Sequence, residues 1–159
     1  MRQPLFAYLR TLGCEPWHAE EISQEAFLRL LEAQRDGLLI QDVRAWVFRV
    51  ARNQWIDSRR ERQRYWTVLP ADGALGRKQS DGLPNPEQEL IRGEQIRRIS
   101  EEVALLPDLQ RECMRLRAQG LRYHEIASVL GISMTAAVDH VRRALAKLRK
   151  RFRAAPEQK

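Results

Sequence analysis

The stretch Tyr123–Phe152, YHEIASVLGISMTAAVDHVRRALAKLRKRF, decides how this chain reads. Its first part carries Ile126, Ala127, Val129 and Leu130 at helical spacing and runs into Gly131. A left-handed backbone costs glycine nothing, so Gly131 is the expected stop. Ser133 can open a second helix by accepting a bond from an orphan backbone N–H. Ala127 sits where two crossing helices would come closest, and its methyl permits the approach. Short helix, Gly turn, Ser cap and longer helix are the order of a helix-turn-helix. Val138, Val141, Leu145 and Leu148 fall on one face of the second helix. Arg142, Arg143, Lys147, Arg149, Lys150, Arg151 and Arg153 crowd around and beyond that face. A plain helical hairpin with a solvated basic end would share the pattern, so the motif needs support from the rest of the chain.

Working outward, Gly120 closes a helix opened by Pro107-Asp108 and carrying Leu109, Cys113 and Leu116. Before it, Asn85-Pro86-Glu87-Gln88 reads as cap, first-turn proline and capping-box residue. That helix is expected to run to about Leu106, with Leu90, Ile91, Ile96, Ile99, Val103 and Leu106 apolar. From Thr67 to Pro84, Gly73, Gly76, Gly82 and two prolines break every period, which predicts an extended, mobile linker. Beyond Phe152 the tail is expected to fray.

The front of the chain opens with a short helix over Leu5 to Leu12, stopped by Gly13. Pro16 begins the next, where its missing N–H costs nothing. This second helix, to about Gln34, has an apolar stripe of Ile22, Ala26, Phe27, Leu30 and Leu31. Its polar face carries Glu20, Glu21, Gln24, Glu25 and Arg29, which on pattern alone is a solvated face. The loop Arg35 to Asp42 is oddly apolar through Leu38, Leu39 and Ile40, either a contact surface or a tuck under the core. A long third helix, Val43 to about Tyr65, has Val43, Trp46, Val47, Val50 and Ala51 on its core template. Around them lie Arg44, Arg49, Arg52, Arg59, Arg60, Arg62 and Arg64, with Trp55, Tyr65 and Trp66 interleaved. Guanidinium groups beside flat rings suit an unpaired strand, the one holding phosphates and the other stacking on bases. Trp46 reads as core; Trp55, Tyr65 and Trp66 read equally as core or platform.

The expectation is an all-α chain of two small helical domains, residues 1–66 and 86–153, joined by a flexible linker at 67–85, with a tail at 154–159. A formal charge of +7 over 159 residues favours a polyanionic partner. No stretch is apolar for long enough to span a bilayer, and the N-terminus has no uninterrupted apolar signal core, so membrane insertion is not expected. Cys14 and Cys113 stand in no metal-ligand spacing, and a reducing cytosol suits them. Neither His18 with Glu20 and Glu21 nor His124 with Glu125 forms a ligand set or a nucleophile–base pair, so no catalytic residue, metal or cofactor is expected.

Four segments resemble the bacterial sigma factors of RNA polymerase, in particular the short extracytoplasmic-function (ECF) type. AEEISQEAFLRL from Ala19 resembles the acidic helix of sigma region two, and VRAWVFRVARN from Val43 the helix that follows it. LPDLQRE from Leu106 and GLRYHEIA from Gly120 resemble region four. The resemblance implies that Glu21, Gln24 and Glu25 dock on the clamp helices of the polymerase largest subunit. It implies that the Arg35–Asp42 loop and Asn53 capture bases flipped from the minus-ten element. Arg44, Arg49, Arg52, Trp55, Arg59 and Arg60 complete the expected single-strand set. In region four the second helix would enter the major groove of the minus-thirty-five element, with Ser133, Thr135, Val138, Asp139, Arg142 and Arg143 at or beside the DNA. Arginines there suit guanine edges or phosphates, and Asp139 suits cytosine N4. Implied partners are core polymerase (clamp helices and flap), promoter DNA and an inhibitory anti-sigma factor covering the same surfaces; the implied compartment is the cytoplasm.

The chain departs from the family pattern in three places. Less of the first helix precedes Leu5 than is usual, so either the chain starts late or that helix packs weakly. Val138, Asp139 and His140 stand where Lys or Arg, Ser and Arg are common. Arg122 replaces the commoner Ser or Thr cap, so its helix is expected to start less firmly. Two other functions stay open from sequence. A helix-turn-helix regulator without polymerase would bind duplex tightly by itself, and an enzyme on nucleic acid would cleave DNA with Mg²⁺.

Overall fold

The structure, a computed structural model, describes the backbone of residues 1–68 and 99–154 and the side chains of 1–64 and 99–153. The linker reading over 69–85, the cap at Asn85–Gln88, the apolar positions Leu90, Ile91 and Ile96, the rings of Tyr65 and Trp66, and the tail lie outside the described residues. The helices are α1 (Arg2–Thr11), α2 (Pro16–Arg35), α3 (Val43–Val68), α4 (99–104), α5 (Asp108–Ala118), α6 (Tyr123–Leu130) and α7 (Met134–Ala154). No strand occurs among the described residues.

Punctuation in the sequence sets these boundaries. Gly13 follows α1 at φ +83°, and Pro16 occupies the first turn of α2. Asp42 caps α3 by accepting the Ala45 N–H at 2.9 Å. Gly131 ends α6 at φ 67°, ψ 35°, and Ser133 Oγ accepts the Ala136 N–H at 3.1 Å to begin α7. The start of α6 is firmer than expected: the Glu125 carboxylate accepts the Arg122 N–H, the back half of a capping box, and Glu125 is buried there.

α3 is the centre of the molecule, packing on α1, α2 and α6. Its inner face is Ala45, Val47, Phe48, Ala51 and Trp55, while Trp46, Val43 and Val50 are half-buried around it. α1 packs fully, with Leu5, Tyr8 and Leu9 shut away from solvent, so the weak-packing alternative fails. Each such side chain contributes about 1.5–3 kcal/mol of burial. Three face assignments need correction, one of them Val138, which is half-buried on the outward side of α7. Leu31 is 62% exposed, because α2 meets its neighbours through Ala19, Ile22, Ala26 and Leu30. In α7 the buried line is Ala137, Val141, Ala144 and Leu148; Leu145 is 38% exposed. The small residues on that line let α5 and α6 approach closely.

The two halves do not hang apart. Cys113, Leu116, Leu121, Ile126, Ala127 and Val129 join one continuous apolar cluster with the buried residues of α1, α2 and α3. A smaller cluster of Leu106, Ala144 and Leu148 sits behind it in the second half. Cys14 and Cys113 are free and fully buried, and burial pushes both thiols up to about 11.

Candidate nucleic-acid interface

α2 turns its polar face outward as its spacing requires. Glu21 and Gln24 face solvent, while Glu25 is half-buried and accepts from Arg29 Nε at 2.8 Å. Leu28 and Leu31 lie exposed beside them, so this face is acidic at one end and apolar at the other. A carboxylate–amide surface with adjacent leucines suits a basic, partly apolar helical arm.

On α3, Arg49, Asn53, Arg59 and Arg60 are exposed, and Arg60 lies 3.8 Å from Asp57. Asn53 lines a cavity of about 330 Å³ with Arg29, Val50, Gln54, Asp57, Ser58 and Glu61. Arg49 lines another, of about 370 Å³, with Trp46 and the loop from Leu38 to Asp42. Leu39 at the lip of that cavity is 94% exposed and Leu38 is exposed beside it, while Ile40 is half-buried against the core, so the loop is surface at its tip and tucked in at its end. An exposed amide that both donates and accepts can read a base edge, and the arginines beside it can hold phosphates.

Three members of the expected single-strand set sit differently. Trp55 is 5% exposed, its ring covered by the Arg62 guanidinium at 5.2 Å and by the edge of His18 at 5.6 Å. Its faces are filled, so it acts as support and not as an open stacking platform. Arg44 and Arg52 point toward the second half. Arg44 donates to the Gln119 carbonyl at 2.6 Å and the Gly120 carbonyl at 3.2 Å, and Arg52 Nε lies 3.3 Å from Glu112 Oε2.

A feature the sequence did not disclose lies at the start of α2. Trp17, 68% exposed, stacks on His18 at 5.0 Å, and Arg62 Nη2 lies 3.3 Å from His18 Nδ1. Burial, and then the neighbouring Arg62 charge, lower the His18 pKa. Sequence discloses only the adjacency of Trp17 and His18; the residues that meet His18, Trp55 and Arg62, lie far along the chain in α3.

In α7 the outward line is Thr135, Val138, Asp139 and Arg142, opposite the buried alanines, with Arg143 alongside. Ser133 and Met134 are exposed at its mouth. Asp139 and Arg142 stand 4.0 Å apart, a loose pair that leaves both at the surface. The helix N-terminus, a hydroxyl and two arginines together can seat against phosphates and present short side chains to base edges.

Comparison with known proteins agrees with this layout. The Sigma-70 region 2 model matches residues 1–65, and the Sigma-70 region 4 model matches residues 96–148. The RNA polymerase sigma factor CnrH of Cupriavidus metallidurans is 28% identical over 144 residues, covering 87% of this chain and 75% of its own. The RNA polymerase sigma factor YlaC of Bacillus subtilis is 26% identical over 142 residues, covering 88% and 80%. Among solved structures, CnrH in complex with the cytosolic domain of CnrY superposes with a TM-score of 0.63 at 23% identity, over 97% of this chain and 83% of that one. The sigma factor RpoE of Bartonella quintana, in complex with the anti-sigma factor NepR, gives 0.62 at 21% identity, over 98% and 93%. With region two ahead of region four and the surfaces of both turned outward, the chain belongs to the sigma-70 family of bacterial RNA polymerase sigma factors, of the short extracytoplasmic-function type, and directs promoter-specific transcription initiation.

Proposed function

We propose that α2 docks this chain on core RNA polymerase through Glu21, Gln24 and Glu25, with Leu28 and Leu31 completing the contact. Arg49 and Asn53, with the loop from Leu38 to Asp42, take the opened minus-ten strand, and Arg59 and Arg60 follow its phosphates. Arg44 and Arg52 join them once released from the second half. Thr135, Val138, Asp139, Arg142 and Arg143 read the minus-thirty-five duplex, with Ser133 fixing the start of that helix. Trp55 supports α3 from within.

The single observation that carries this reading is the layout of region two. One three-helix unit bears an acidic face on α2 and an arginine–asparagine face on α3. A duplex-binding regulator has no use for that pair of surfaces. Bond making and breaking stay with the polymerase, and the chain contributes binding alone. It works in the cytoplasm, where its polymerase is; no described helix is long and apolar enough to cross a membrane. The CnrY and NepR complexes of its structural neighbours support a similar inhibitory partner for this chain.

Run-off transcription with core polymerase on a randomised promoter library tests the proposal. Transcripts should start downstream of two enriched elements. Asn53→Ala should degrade the downstream element only, and Arg142→Ala the upstream one by about 1–3 kcal/mol per lost base contact. Core polymerase that gives no start-site enrichment with the folded chain would end the proposal.

A further inference from the structure

We infer that Trp17 is the outer anchor of the polymerase-docking face of α2, and that the arm received there carries cations at its middle and apolar side chains at both ends. This rests on the assignment of Glu21, Gln24 and Glu25 to core polymerase, and adds to it a residue and the chemistry of the partner.

Trp17, Glu21, Gln24, Leu28 and Leu31 follow one another at alternating steps of four and three residues, and all are exposed. At 3.6 residues per turn they share about 80° of the circumference of α2, and at 1.5 Å per residue they span about 21 Å. They make a single line, with an indole at one end, a carboxylate and an amide in the middle, and two leucines at the other end. Trp17 is 68% exposed, Leu28 55% and Leu31 62%. Large apolar side chains turned to water along one line, with polar ones between, outline an interface and not a solvated face.

The indole is also held in place before any contact. Its ring stacks on His18 at 5.0 Å and 18°, and the His18 ring meets Trp55 edge-on at 5.6 Å and 70°. Trp55 is buried, so the three rings tie the exposed indole to the core. The Arg62 guanidinium lies over Trp55 and beside His18, closing the inner side of the stack. A large ring fixed in advance loses little freedom on binding, which suits it to carry a large share of an interface. One face of the indole is spent on His18, and the other is free for a partner.

Charge selects the occupant. Glu15, Glu20 and Glu21 all stand within about one turn of Trp17. Glu20 is bonded to Arg2, while Glu15 and Glu21 face solvent. These carboxylates repel phosphates and attract ammonium or guanidinium groups. A cation of the arm can lie over the free indole face while its neighbour meets Glu21. The occupant is therefore a basic segment of the polymerase and not the DNA strand, which follows α3.

The test is photocrosslinking of the full chain bound to core polymerase, with and without a pool of random DNA. One chain carries p-benzoylphenylalanine in place of Trp17 and a second carries it in place of Gln24. Both should join to the largest subunit. A crosslink from position 17 to DNA, or to nothing, while position 24 still reaches the largest subunit, overturns the anchor and leaves the docking intact. If neither position reaches the polymerase, the docking assignment beneath the anchor falls as well. In competition for core polymerase against a dye-labelled unsubstituted chain, Trp17→Ala should bind about tenfold more weakly and Trp17→Phe should keep most of the affinity. Trp17→Ala competing as well as the unsubstituted chain also removes the anchor. The exposed indole holds no helix in place, so far-ultraviolet dichroism of Trp17→Ala should be unchanged; if it is altered, the crosslink alone decides.

Discussion

His18 shows how one residue acquires properties its sequence neighbours do not dictate. It is packed between Trp17 and Trp55 and faces the Arg62 guanidinium. Both burial and that charge disfavour the imidazolium, burial more. The folded chain therefore holds the proton less tightly than the unfolded one. The stabilisation is present above the unfolded value of about 6.5 and is lost as pH falls below it. NMR titration should place His18 below the ordinary histidine range. Arg62→Met should raise it part of the way, since the indoles still exclude water. A titration curve indifferent to that substitution would remove Arg62 as a cause. Trp55 carries the matching lesson: arginine beside tryptophan reads equally as platform or core, and only the approach of α2 from the other side fills its faces.

At the level of the element, ends were legible and faces were less so. Gly13, Pro16, Gly131 and Ser133 act through local backbone geometry, and each falls where its chemistry places it. Periodicity points Leu31 and Leu145 inward, yet both lie exposed, because each helix has more than one apolar face and the neighbouring helix selects which is buried. The start of α6 is firm without the usual Ser or Thr at Arg122, because the reciprocal carboxylate of Glu125, three residues on, accepts the Arg122 N–H. The turn of the helix-turn-helix gives a clean prediction. Gly131→Ala meets no atom within 4 Å, so its cost is backbone strain alone, about 1–2 kcal/mol. Ser133→Ala loses one cap bond, about 1 kcal/mol. Urea midpoints measure both, and Gly131→Asn should recover part of the loss, since asparagine tolerates the left-handed region. If Ala and Asn prove equally tolerated at 131, strain is not what that glycine relieves.

At the scale of the molecule, the two helical modules expected from sequence are present, and the shared apolar cluster between them is what sequence did not disclose. The reason is separation along the chain. Tyr8 meets Glu112 across 104 positions and Arg44 meets Gly120 across 76, pairings that no periodicity encodes. Leu121, Ile126 and Val129 read as the private core of a helix-turn-helix, yet they bury against α3 as well. A shared core has a thermodynamic signature. All four tryptophans lie at or before position 66, so indole fluorescence reports the first half, while far-ultraviolet dichroism sums helices from both. In urea the two signals should trace one transition with the same midpoint, as a two-state body requires. Glu112→Ala leaves Arg52 and the Tyr8 hydroxyl without their acceptor and weakens the joint without cutting either local core. Its dichroism should then acquire an earlier phase, from α5–α7, that fluorescence does not follow. Separate midpoints in the unsubstituted chain would mean that the halves fold independently and that the continuous apolar cluster contributes little to their association.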